Sequence, residues 1–124
     1  MKFSLIICTY QRPKPLLQLL QSVQEQTLYP DEILIIDGST NEATQVILEQ
    51  NHFQNVHYFL VPKEHRGLTK QRNFGIDKVS ADGEIVCFLD DDTVLSTDYF
   101  EQLVTTFQSD VTISGVGGVA TNEN

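Results

Sequence analysis

Asp90, Asp91 and Asp92 close an apolar run, Glu84-Ile85-Val86-Cys87-Phe88-Leu89, that reads as a buried parallel strand. Adjacent carboxylates repel one another and titrate above their ordinary range when left alone, so a chain that gathers them at a strand end supplies a cation there. Carboxylate oxygens suit a hard ion, Mg²⁺ or Mn²⁺. Along an extended strand Asp90 and Asp92 point one way and Asp91 the other, so one face can hold the metal while the other meets a sugar hydroxyl. Asp37 ends a second aliphatic run, Glu32-Ile33-Leu34-Ile35-Ile36. A carboxylate accepts but cannot donate, so there it suits a ribose hydroxyl or a base N–H, with a turn or helix cap as the plainer role.

Alternating strands and helices must position these acids. Lys2 to Cys8 reads as the first strand, and the leucines at 16, 17, 19 and 20 with Val23 repeat at helical spacing until about Thr27. Glu32 to Asp37 is a central strand. Ser39 or Thr40 caps the next helix, in which Ala43, Val46, Ile47 and Phe53 face the core. A third strand over Val56 to Leu60 leads through a polar loop carrying Lys63, His65 and Arg66 to a helix over Leu68 to Val79, despite Gly75 in its middle. After the acid-tipped strand, Ser96 or Thr97 caps a helix to about Gln108, with Phe100, Leu103, Val104 and Phe107 as its stripe, and Val111 to Val119 forms a last strand. This alternation predicts an α/β fold, a mostly parallel Rossmann-like sheet with helices on both faces. Its strand ends share one edge, where Thr9-Tyr10-Gln11-Arg12, Asp37-Gly38-Ser39-Thr40 and Asp90-Asp91-Asp92-Thr93 can meet in one crevice.

The chain has 124 residues, 40% hydrophobic and 20% charged, which is one domain of ordinary globular composition. No segment approaches the length of a membrane span. A net charge of −9, with eight basic residues scattered along the chain, argues against nucleic acid as a partner. The two cysteines, Cys8 and Cys87, lie inside apolar strands and form neither a disulfide framework nor a zinc pattern. A reducing cytoplasm is the expected compartment, with a membrane-peripheral position open to the full-length protein.

Five strings taken together resemble the family 2 glycosyltransferases. They are Phe3-Ser4-Leu5-Ile6-Ile7-Cys8-Thr9-Tyr10-Gln11-Arg12-Pro13, Ser22 to Thr27 with Tyr29-Pro30, Glu32 to Thr40, Gly67-Leu68-Thr69 with Arg72-Asn73-Phe74-Gly75-Ile76, and Gly83 to Asp92. The resemblance implies residues 1–124 to be the nucleotide-sugar-binding half of a type A glycosyltransferase domain with an Asp-x-Asp motif. It implies that Thr9 and Arg12 line the nucleotide pocket, Asp37 meets the base, and Arg72 reaches the base or phosphates. Asp90 and Asp91 would serve the ribose or sugar, and Asp92 would ligate the Mn²⁺ or Mg²⁺ that bridges the diphosphate. The donor would be a nucleotide diphosphate sugar, UDP before GDP or dTDP. The acceptor would be a sugar, polysaccharide, lipid or protein, and the reaction an inverting single displacement.

Two departures stand out. Many relatives have paired acids after the second strand, where this chain has Asp37-Gly38. Relatives also continue into an acceptor-binding half that carries the general base, which is therefore expected beyond residue 124. No catalytic residue is expected within the chain, and donor binding without turnover follows. Loss of the acceptor half would expose the 111–119 edge to self-association. Two alternatives compete. One is a nucleotide-binding module without catalysis. The other is a haloacid dehalogenase-type phosphatase with Asp90 as nucleophile, which the absence of Lys and Arg after Thr93 disfavours.

Overall fold

Four aliphatic runs pair into one all-parallel sheet in the computed structural model, which describes residues 2–80, 85–93 and 95–109. The strands are β1 (Phe3–Thr9), β2 (Glu32–Asp37), β3 (Val56–Leu60) and β4 (Ile85–Asp90), in the order β3-β2-β1-β4. Register brings Thr9 opposite Asp37 and Cys8 opposite Asp90, so three functional segments emerge side by side. Strands β1 and β2 are central and covered on both faces, which is why their sequences are nearly unbroken aliphatic runs.

Helices α1 (Pro13–Gln24), α2 (Ala43–Gln50), α3 (Leu68–Lys78) and α4 (Tyr99–Ser109) connect or follow the strands. Pro13 opens α1, where its fixed φ suits the first helical turn and its missing N–H loses nothing. Leu16, Leu19, Leu20 and Val23 of α1 join Phe100, Leu103 and Val104 of α4 over the odd-numbered residues of β1, Phe3, Leu5 and Ile7. On the opposite face α3 packs Phe74 over Ile6, Leu34 and Ile36. Gly75 permits this approach, because a Cβ there would stand 2.8 Å from Ile6 Cγ2. A glycine that weakens the helix in isolation thus lets it lie against the sheet.

Several local expectations shift. Neither Ser39 nor Thr40 caps α2; Asn41 Oδ1 accepts from the Ala43 N–H instead. The helix turns Thr44 inward and leaves Ala43 and Val46 exposed, with Ile47 and Leu48 half-buried, while Phe53 is buried as expected. Ser96 and Thr97 serve through their carbonyls, and Gln26 reaches across to accept from the Phe100 N–H at 3.0 Å at the start of α4. The expected strand over 111–119, and with it the self-association edge, lies outside the described residues. Among the described residues no helix is long and apolar enough to cross a membrane.

Candidate functional site

The chain runs outward from β1 to β2 and β3, then returns to place β4 on the other flank of β1. Such a switch leaves a crevice at the carboxyl ends of the two diverging strands. A cavity of about 580 Å³ opens there, lined by Thr9 at the end of β1 and Arg12 beyond it, by the three aspartates at and after the end of β4, by Arg66 and Gly67 before α3, and by Gln71 within α3.

The strand alternation ends at Asp90, because the Thr93 N–H and hydroxyl both donate to the Asp90 carbonyl and turn the chain. Asp90 is exposed. Asp91 is buried, accepts from the Thr9 hydroxyl at 2.8 Å, and lies 3.5 Å from Arg12 Nη1. Asp92 is exposed and lies 3.5 Å from Arg12 Nη2, so one guanidinium bridges two carboxylates that strand geometry alone would separate. Burial raises the Asp91 carboxyl above its ordinary range; the Thr9 hydrogen bond and Arg12 oppose this, and Asp92 and Asp90 add to it.

A carboxyl raised in the native state takes up protons on folding. Its stabilising contribution is complete below the ordinary carboxylate pKa and is lost as pH rises through the native value. Ionised Asp91 therefore burdens the fold at neutral pH. Asp91→Asn keeps an acceptor for Thr9 and removes the charge, so urea unfolding at pH 7 is expected at a higher midpoint than for the parent chain. The gain should fade toward pH 3 to 4, and a variant less stable than the parent at pH 7 would contradict it.

Asp37, the expected base contact, stands at the end of β2. It is fully buried, Oδ1 accepting from the Ser39 N–H and hydroxyl and Oδ2 from the Tyr58 hydroxyl at 2.5 Å. Both oxygens are engaged inside the protein. Asp37 holds the turn and ties β3 to β2, and burial together with this bond raises the Tyr58 phenol well above its usual range. Arg72, expected to reach the base or phosphates, lies in α3. Its guanidinium carbon lies 5.6 Å from the centroid of the Phe88 ring, on the α3 side of the sheet, and the residue does not line the cavity. Arg66, one loop earlier, does.

Sequence reading missed Gln71 as an organising residue. Its buried amide donates to the carbonyls of Thr9 at 3.1 Å and Ile36 at 2.9 Å, and its Oε1 accepts from the Gly67 N–H at 3.0 Å. One side chain thereby joins the ends of β1 and β2 to the β3–α3 loop. The Gly38 N–H donates to Thr9 O, and Gln11, at φ 51°, donates its N–H to Ser39 Oγ and accepts from Thr40. The loops after β1 and β2 are thus laced together. Cys8 lines the same cavity, but burial, opposed in part by Arg72, pushes its thiol up to about 11, which keeps it protonated and inert at neutral pH.

Among the described residues no three of His, Cys, Asp and Glu converge as a ready cage for a metal. The donors facing the cavity are nevertheless hard oxygens on exposed carboxylates, Asp90 and Asp92. That set fits an ion of the Mg²⁺ or Mn²⁺ kind, which is held by one or two carboxylates and completed by phosphate oxygens and water.

The sequence model of glycosyl transferase family 2 matches residues 4–124. The chain belongs to this family. That membership replaces the phosphatase reading of Asp90. The chain is similar to the O-antigen chain rhamnosyltransferase RfbN of Salmonella typhimurium, 29% identical over 119 residues, which are 95% of this chain and 37% of the relative. It is 35% identical over 104 residues to the UDP-Gal:alpha-D-GlcNAc-diphosphoundecaprenol beta-1,3-galactosyltransferase of Escherichia coli, covering 81% of this chain and 37% of that one. Among solved structures, S. aureus TarS 1-349 in complex with UDP-GlcNAc superposes with a TM-score of 0.73 at 26% identity, over 88% of this chain and 32% of TarS. The parallel sheet and its helices are those of the nucleotide-sugar transferases of type A. This family 2 chain spans well under half the length of these relatives.

Proposed function

We propose that residues 1–124 form the donor half of a glycosyltransferase catalytic domain and bind a nucleotide diphosphate sugar, with UDP as the preferred nucleotide. The observation that carries this reading is the cavity at the β1/β4 switch, walled by three aspartates and bridged by Arg12. The UDP-GlcNAc complex of TarS and the UDP-Gal in the name of the E. coli relative support the choice of UDP.

In this reading Asp92 holds a divalent cation, with exposed Asp90 beside it. When bound, the ion supplies Lewis-acid stabilisation of the charge that develops on the departing nucleoside diphosphate. Arg12 offers its remaining N–H groups to the phosphates, and Asp91, fixed by Thr9, presents an acceptor to a sugar or ribose hydroxyl. Inverting transfer also needs a base for the acceptor hydroxyl. The acids at the start of α4 are occupied elsewhere, Glu101 accepting from Thr27 Oγ1 at 2.6 Å and Asp98 from Gln102 Nε2 at 2.7 Å. A base supplied by the acceptor half of the whole enzyme completes this reading, in which the present chain binds donor without turnover. The whole enzyme would act on a sugar, polysaccharide, lipid or protein acceptor.

Titration calorimetry tests the reading. UDP is expected to bind in Mn²⁺ and to lose at least about tenfold in affinity in excess chelator, since the acids repel the phosphates until a cation intervenes. Equal affinity in both buffers would remove the metal from the proposal. Sustained sugar transfer by this chain to simple acceptors would show that the other half is not needed.

A further inference from the structure

Charge is unevenly shared along this acidic chain, although its basic residues extend from Lys2 to Lys78. The stretch 63–78 carries five of the eight basic residues and two of the seventeen acids, a net charge of +3, which leaves −12 on the rest. In the fold this stretch is one corner of the molecule. A 3-10 turn over Lys63–His65 follows the carboxyl end of β3 and leads into α3.

The cations of this corner divide by what they touch. Arg66 lines the cavity, Arg72 lies over Phe88 at 5.6 Å, and Lys78 lies over Phe74 at 5.2 Å. Lys63 and Lys70 face solvent and have no ion pair among the described residues. Exposed apolar side chains accompany them. Leu60, at the end of β3, is 46% exposed, and Leu68, in the first turn of α3, is 53% exposed. One exposed leucine is ordinary. Leucines beside unpaired lysines, on the basic corner of an acidic chain, make a surface suited to lipid, with apolar groups reaching the acyl boundary and ammonium groups the headgroups.

We propose that this corner docks the protein on an anionic bilayer surface, with Lys63 and Lys70 at the headgroups and Leu60 and Leu68 dipping between them. Charge complementarity selects the partner, and the leucines favour lipid over nucleic acid, which offers them no apolar layer. The acids at the end of β4 oppose this docking only weakly. They lie three strand spacings from β3, about 14 Å, which exceeds the Debye length of about 10 Å at 0.1 M salt. Leu68 also lines the cavity, so docking sets the mouth of the crevice at headgroup level. The proposal goes beyond donor binding and does not depend on it.

Sedimentation with vesicles tests it. In about 0.1 M salt the chain is expected to bind phosphatidylcholine vesicles containing about one third phosphatidylglycerol at least about tenfold better than phosphatidylcholine alone. In about 1 M salt, where the Debye length is roughly 3 Å, that preference should vanish. Lys63→Gln combined with Lys70→Gln should weaken binding about 30-fold, roughly fivefold for each lysine, and Lys14→Gln, at an exposed lysine of α1, less than about twofold. Leu60→Asn should weaken it about fivefold without changing the preference for the anionic lipid. All four side chains are exposed, and unfolding curves check that the fold persists. Equal binding to both kinds of vesicle would overturn the inference, as would a loss in the Lys63 and Lys70 variant no larger than that of Lys14→Gln. Salt-sensitive self-association without lipid, abolished in the same variant, would assign the corner to a second copy of the chain and overturn it too.

Discussion

Gln71→Leu is expected to lower the stability of the chain by about 3 kcal/mol, as buried main-chain groups lose their partners while the volume stays nearly constant. The amide serves Thr9 O, Ile36 O and Gly67 N–H at once. Thr9 O retains the Gly38 N–H, so the loss falls mainly on the other two. Urea unfolding of both chains measures it, and a difference under about 0.5 kcal/mol would show that water replaces the amide. Donor affinity should fall as well, since the same side chain fixes the loop that carries Arg66.

Asp92→Ala is expected to abolish the dependence of UDP binding on Mn²⁺ and to remove most of the affinity gained with it. The residue is 56% exposed on its side chain, so its loss opens no cavity in the core and the unfolding midpoint should barely move. A parallel titration of Asp90→Ala separates the two exposed acids. If Asp92→Ala keeps the full Mn²⁺ effect and Asp90→Ala loses it, the ligand assignment passes to Asp90.

The sheet was legible because burial on both faces writes itself as long aliphatic runs. Glu32–Asp37 and Val56–Leu60 coincide with their predicted bounds. The inward face of α2 was not legible, since a short helix that buries Thr44 and exposes Val46 carries little amphipathic signal. At the site, the acids announced themselves by type and number, but their directions followed the turn after Asp90 and not the pleat. The partners of Asp37 were not legible, because sequence records a carboxylate and not the Tyr58 hydroxyl that reaches it from another strand. The two arginines illustrate the same limit. Arg72 stands within a recognisable string yet lies on Phe88, whereas Arg66 stands in a loop without periodicity and lines the cavity. Gln71 gave no signal, because a polar residue on a helix ordinarily faces water.

The position of β1 in the sheet has a consequence in time. Made first, β1 gains its neighbour β2 early, but its other flank waits for β4, and 82 residues separate Thr9 from the Asp91 it binds. During synthesis the unpaired edge of Leu5, Ile6 and Ile7 stays open to pairing with another chain until β4 emerges. The pairing that brings Thr9 to Asp91 is therefore also the step that closes this apolar edge of the nascent chain. A chain able to bind its ligand is by that fact one that has passed the hazard.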